Sequence, residues 1–213
     1  MAHYDLEEQE QIDSIKAWWN AYGNLVTSLL LAVAVAVVGW RGWNWYQDGE
    51  SGKAAAVFDA LEHAVDARDA QKIKSLAGEL TEKYGRSSYA GMGALLAARQ
   101  SFDSGDLKTA RAQLSWAADN AKDEVRDVAR LRLAAVLLDE KAYDEALKQL
   151  DGGHAAAFDA RFLEAKGDVL AAQGKRNDAR DAYRTALEKM GEPANAASRE
   201  LLQQKLDSMG EAA

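Results

Sequence analysis

The sequence predicts an all-α protein built as one membrane-spanning helix near the N-terminus followed by a solenoid of helical hairpins. Three observations carry that expectation. Five of the six Trp fall within the 28 consecutive positions from Trp18 to Trp45. Ala17 to Trp40 is a stretch of 24 residues without a charge. The rest of the chain alternates runs of helical period with short Gly, Asp and Asn punctuation, and the whole chain holds a single Pro. Its 213 residues leave room for one domain or two small ones. The absence of Cys removes disulfide frameworks, thiolate metal sites and cysteine nucleophiles. A net charge of −8 argues against a nucleic-acid surface, where a basic stripe is expected.

Residues 1–16 form an acidic tail, with Asp5, Glu7, Glu8, Glu10 and Asp13 against Lys16 alone. Residues 17–47 read as the spanning helix. As a helix the uncharged stretch is about 36 Å long, against a bilayer core of about 30 Å. Trp18, Trp19 and Tyr22 mark one end; Trp40, Arg41, Trp43 and Trp45 mark the other. Amphipathic rings favour the headgroup level, so these residues are the candidate membrane anchors and the bilayer is the first predicted partner. A cleaved signal peptide needs a basic leader and small residues after the apolar run. Here the leader is acidic and Trp40-Arg-Gly-Trp43 follows the run, so the segment is expected to stay as an anchor. Charge leaves the orientation open, because Lys16 on one side faces Arg41 and Lys53 on the other.

Residues 48–213 read as the repeat domain, with a mild net charge of −5. Its clearest unit runs from Ala160 to Leu187. Gly167 is the small residue where two helices touch, Gly174 ends the first helix, Ala179 opens the second at a close contact, and Tyr183 fills the gap. Ala134 with Ala146, and Ala98 with Ala110, repeat the arrangement. The alanines at 110, 146 and 179 are 36 and 33 residues apart, close to the 34-residue tetratricopeptide period. A degenerate hairpin is expected before them, with helices near 50–67 and 71–84. An amphipathic stretch at 195–208 suits a capping helix, and Pro193 is the one candidate for a closing proline. The fold class is therefore a tetratricopeptide-repeat-like α-solenoid behind a single transmembrane helix, with about four hairpins plus the cap.

Little in the chain suggests catalysis. His3, His63 and His154 are far apart and read as surface residues. No phosphate-binding loop, dinucleotide fingerprint or nucleophile elbow appears, so neither an enzyme nor a cofactor is expected. Binding is the better candidate. The first helix of each unit should line the concave face, which nominates Met92, Leu95, Arg99 and Phe102 in one unit and Val128, Leu131, Ala135 and Leu138 in the next. Arg161, Glu164, Asp168 and Ala171 follow in the last. Two arrangements fit these positions. They form an apolar trough with a charged end, suited to an extended or amphipathic protein segment, or they are core beneath a neighbouring helix.

The plan as a whole resembles the YfgM-like family, the ancillary subunits of the bacterial SecYEG translocon. The likeness rests on the acidic tail, the Gly39-Trp-Arg-Gly-Trp-Asn44 exit from the span and the divergent hairpins that follow. It implies an inner-membrane protein with a cytoplasmic N-terminus and a periplasmic repeat domain. The implied role is that of an adapter passing exported client proteins to periplasmic chaperones, beside a PpiD-like membrane-anchored partner. It brings no catalytic or metal-binding residues. Two readings compete with it: an envelope scaffold organising division or wall-synthesis proteins, and a tether for a cytoplasmic regulator bound through the acidic tail.

Overall fold

The computed structural model describes the backbone of residues 3–191 and 196–210, and their side chains apart from those of 3–10 and 44–48. The acids at 5, 7, 8 and 10 and Pro193 therefore lie outside the described side chains. Every described element is helical: nine α-helices and one 3-10 turn. The chain divides into two compact units, Met1–Glu50 and Ser51–Ala213.

Helix α1 runs from His3 to Asp66, so the helix expected near 50–67 is the last part of this element and not a separate one. Gly39, Gly42, Gly49 and Gly52 fall inside it. A lone glycine costs a helix only about 1 kcal/mol relative to alanine, and no proline or capping sequence intervenes to stop it. The helices that follow are α2 (Ala70–Lys83), α3 (Ser88–Asp103), α4 (Leu107–Asn120), α5 (Asp123–Asp139), α6 (Tyr143–Leu150), α7 (Asp159–Ala172), α8 (Arg176–Lys189) and α9 (Ala196–Ser208). From α2 onward each packs against the next, and α3 also meets α5 and α5 meets α7. Contacts between every second helix are the mark of stacked hairpins.

The hairpins share one turn. Arg68, Gly105, Lys141 and Gly174 each adopt a left-handed backbone, with φ of 53°, 81°, 59° and 77°. The N–H of each following residue returns to a carbonyl five residues back: Asp69 to Ala64, Asp106 to Ser101, Ala142 to Leu137 and Lys175 to Leu170, all at 2.8–2.9 Å. This is the Schellman ending, which satisfies the last carbonyls of one helix and aims the chain into the next. Asp69 and Asp106 then cap the following helices by accepting from the Lys72 and Thr109 amides at 3.1 and 3.0 Å.

Three apolar clusters fill the stack. Leu61 and Ala64 of α1 join Ile73, Ala77 and Leu80 of α2. The largest cluster spans α3 to α7, and Trp116 packs against both of these. Leu202 of α9, fully buried, closes the third cluster over α7 and α8, as a cap should. One hairpin is irregular. Helix α6 stops after eight residues because Gly152-Gly153 follows, and the loop to α7 is pinned from α5. Arg130, 8% exposed, donates to the Gly153 carbonyl at 2.9 Å and to that of Gln149, while Asp127, 1% exposed, accepts from the Ala155 amide at 2.9 Å. A side chain at Gly152 would collide with the Arg130 guanidinium. His154 belongs to this loop and is half-buried, stacked on Phe162 with centroids 3.9 Å apart, so it is a packed residue and not the surface histidine expected.

Tyr183, Asp168, Glu164 and Lys205 tie the cap to the last hairpin. The Tyr183 hydroxyl donates to Asp168 at 2.9 Å, and Lys205 of α9 reaches the Glu164 carboxylate at 2.8 Å and that of Asp168 at 2.9 Å. Burial, then the hydrogen bond to Asp168, pushes the Tyr183 phenol well above its ordinary pKa. Burial opposes the charge on Lys205, but the bonds from Glu164 and Asp168 outweigh it and its pKa also rises. The folded state thus holds both protons more tightly than the unfolded chain. That contribution to stability is full below the unfolded values near pH 10 and falls as pH rises past them. Denaturant titrations of the full chain should show stability declining above about pH 10, and Tyr183→Phe should remove part of that slope.

The turns give a second expectation. Lys141 holds a left-handed backbone that glycine adopts without steric cost, so Lys141→Gly should stabilise the domain, and Gly174→Ala should destabilise it by about 1 kcal/mol. Unfolding midpoints of the two variants should move in opposite directions.

Candidate functional site

Two features of the described residues invite partners, one in each unit. In the first, Gln11–Trp43 of α1 is long and apolar enough to cross a membrane. Its side chains face outward almost throughout: Leu29, Leu31 and Val38 are 62%, 67% and 71% exposed. A core helix of a water-soluble fold would bury such residues, so the expectation of a span gains weight from the packing. The predicted anchors Trp18, Trp19, Tyr22, Trp40 and Trp43 are all exposed by half or more, and Arg41 is exposed beside them. Trp18 lies 6.4 Å from Trp19 and 5.9 Å from Tyr22 between ring centroids, which gathers three rings at one end of the stretch. Trp19 lies over Gly23, where a Cβ would come within 3.1 Å of the indole nitrogen. The side chain of Trp45 lies outside the described residues.

In the second unit, α3 and α5 frame a cavity of about 390 Å³. Arg99, Phe102 and Asp103 line it from α3, and Arg132, Ala135 and Asp139 from α5. Two helical residues three or four apart share a face, and the stacking of every second helix brings these two faces together. Phe102 is 46% exposed and presents its ring to this cavity instead of packing into the core. Arg99 pairs with Asp103 at 3.7 Å, so the ring is set among charges of both signs.

The structure sorts the predicted groove residues into two groups. Arg99 and Phe102 line the cavity, with Ala135 opposite. Leu95, Leu131 and Leu138 are half-buried and pack against the largest apolar cluster, while Met92 and Val128 are half-buried beside them. The trough is accordingly narrower and more polar than the spacing suggests, because three of its leucines turn into the core. At the other end, Glu164 and Asp168 are occupied by Lys205 of the capping helix, which shuts the charged segment expected there. The charged lining that sequence reasoning missed is Asp103, Arg132 and Asp139. Their signal was available: each lies four residues, about one helical turn, beyond a nominated groove position, namely Arg99, Val128 and Ala135 in that order.

Comparison with known proteins agrees with this architecture. A family model described as "Tetratricopeptide repeat-like domain" matches residues 16–211. An "Ancillary SecYEG translocon subunit" of Neisseria gonorrhoeae (strain ATCC 700825 / FA 1090) is 37% identical over 209 residues, covering 96% of this chain and 98% of that protein. A protein of the same name from Escherichia coli (strain K12) is 30% identical, over 95% of this chain and 96% of its own length. One from Haemophilus influenzae (strain ATCC 51907 / DSM 11121 / KW20 / Rd) is 28% identical, over 86% and 90%. The match runs through both the exposed helix and the hairpins, and the chain belongs to the tetratricopeptide repeat-like family of ancillary SecYEG translocon subunits.

Proposed function

We propose that this protein is a single-pass inner-membrane adapter of the Sec translocon, with its N-terminus in the cytoplasm and its repeat domain in the periplasm. The repeat domain receives segments of exported proteins and passes them to periplasmic chaperones, working beside a membrane-anchored chaperone of the PpiD type. The observation that carries the reading is the half-exposed Phe102 in a charged cavity, on a chain whose relatives are named as translocon subunits. An aromatic ring among charges of both signs suits an extended segment that alternates apolar and polar side chains, and it favours no single sequence. Tethering keeps such a groove near its clients, so weak contacts suffice through effective concentration.

A photoreactive residue placed at Phe102 or Ala135 should capture translocating clients or the chaperone partner, whereas one at the exposed Arg184 of α8 should not. Phe102→Asp should lower that capture about tenfold, the scale of losing a central aromatic contact. Protease added to intact spheroplasts should reach residues 51–213 and leave a tag on the N-terminus untouched. Capture of neither translocon, client nor chaperone from the groove positions, or protection of the repeat domain, would overturn the proposal.

A further inference from the structure

Apart from its aromatic rings, the uncharged stretch of α1 carries four polar side chains, and three of them share one seam, Ser28 being the fourth. Asn20, Asn24 and Thr27 follow spacings of four and three, and the same spacing continues through Leu31, Ala34 and Val38. An average spacing of 3.5 residues lays all six along one seam of the helix. Asn24 lies roughly 7 Å from the middle of the stretch, well within the half-thickness of about 15 Å of a hydrocarbon core. Both asparagines are exposed, and among the described residues their side-chain amides have no hydrogen-bond partner. Thr27 differs, because its hydroxyl donates to the Gly23 carbonyl within the same helix.

An amide in hydrocarbon without a partner is costly, and lipid tails offer neither donor nor acceptor. α1 is the one candidate span among the described residues, so none of the other described helices offers a second span as that partner. The aromatic residues give an independent indication. Trp18, Trp19, Tyr22, Trp40 and Trp43 all fall at positions of the same seven-residue frame that point away from the seam. The rings up to Trp43 thus leave the polar seam clear, while Trp45, five residues beyond the end of the uncharged stretch, falls on the seam's frame.

We propose that this seam is an interface between two copies of the chain, whose spanning helices pair in parallel with Asn24 against Asn24. Copies of a single-span protein insert in one direction, so equal residues meet at equal depth. The asparagine amide both donates and accepts, which makes it its own complement. Ala34 lets the backbones approach, while Leu31 and Val38 supply the knobs of the apolar half. Asp13 and Arg41 extend the spacing but lie outside the uncharged stretch, where water and headgroups screen like charges. The inference rests on α1 crossing the bilayer and is independent of the translocon role.

The test uses the full chain reconstituted in phosphatidylcholine–phosphatidylglycerol vesicles, with insertion of every variant verified by resistance to alkaline extraction. The absence of native Cys makes single-cysteine variants clean reporters. Leu31→Cys and Ala34→Cys should form disulfide-linked dimers on mild oxidation, whereas Leu29→Cys and Val33→Cys should not. Energy transfer between labelled copies, followed as lipid is added, should show Asn24→Leu weakening the dimer about tenfold and Asn24→Gln largely preserving it. Leucine is the more lipid-compatible residue, so a loss with Asn24→Leu reports pairing and not insertion. Equal crosslinking around the helix, no dimer, an Asn24→Leu variant that pairs as well as the parent, or seam crosslinks in native membranes that reach only other proteins would each overturn the proposal.

Discussion

The repeat domain depends on one packing constraint: where the two helices of a hairpin cross, one side must be small if the other is large. Counting from each left-handed turn residue, seven positions back and nine forward, the paired sites are Leu61 and Ala77, Ala98 and Leu114, Ala134 and Leu150, and Gly167 and Tyr183. All eight are buried. The large member lies on the first helix in the first hairpin and on the second in the others. In the last hairpin the tyrosine is bulkier than leucine and its partner shrinks to glycine, where a Cβ would stand 2.4 Å from the Tyr183 ring. Interiors packed at crystal density leave no slack for a different division of volume, so the helix spacing follows from these pairs.

The same constraint connects packing to the candidate binding surface. Close crossing within hairpins brings α3 beside α5, and the residues left over on the facing sides become the cavity that holds Phe102. The tyrosine that fills the last crossing also anchors Asp168, which with Glu164 receives Lys205. One end of the stack is thereby sealed by α9, and the accessible groove is confined to the units nearer the start of the domain. The ion pairs there are not themselves large sources of stability; their consequence is that the cap has a fixed seat.

Much of this was legible in the sequence. The alanines at 110, 146 and 179 with Gly167 and Gly174 announce the hairpins, because small residues at fixed spacing have few other reasons to recur. The tryptophans at both ends of an uncharged stretch announce the span. The first hairpin was harder to see, since Leu61 and Ala77 reverse the usual order of large and small and Ile73 stands where the others place alanine. Lys141 and Arg68 gave no sign of their left-handed backbones, which the shared turn imposes on residues that do not prefer it. Asp127 and Arg130 look like surface charges on an amphipathic helix. Only the approach of the loop after α6, whose backbone groups they satisfy, explains their burial. Leu95, Leu131 and Leu138 were ambiguous for a related reason, as periodicity places them on a face without saying whether that face is covered.

The crossing pair Gly167 and Tyr183 gives the most direct test. Equilibrium unfolding of the full chain should show Gly167→Ala destabilised by about 1–3 kcal/mol, the scale of overpacking a close contact. Adding Tyr183→Leu, which recreates the alanine–leucine pairing of the two preceding hairpins, should recover part of that loss, so that the double variant is more stable than the single alanine variant. A Gly167→Ala chain as stable as the parent, or a double variant whose losses simply add, would contradict the account.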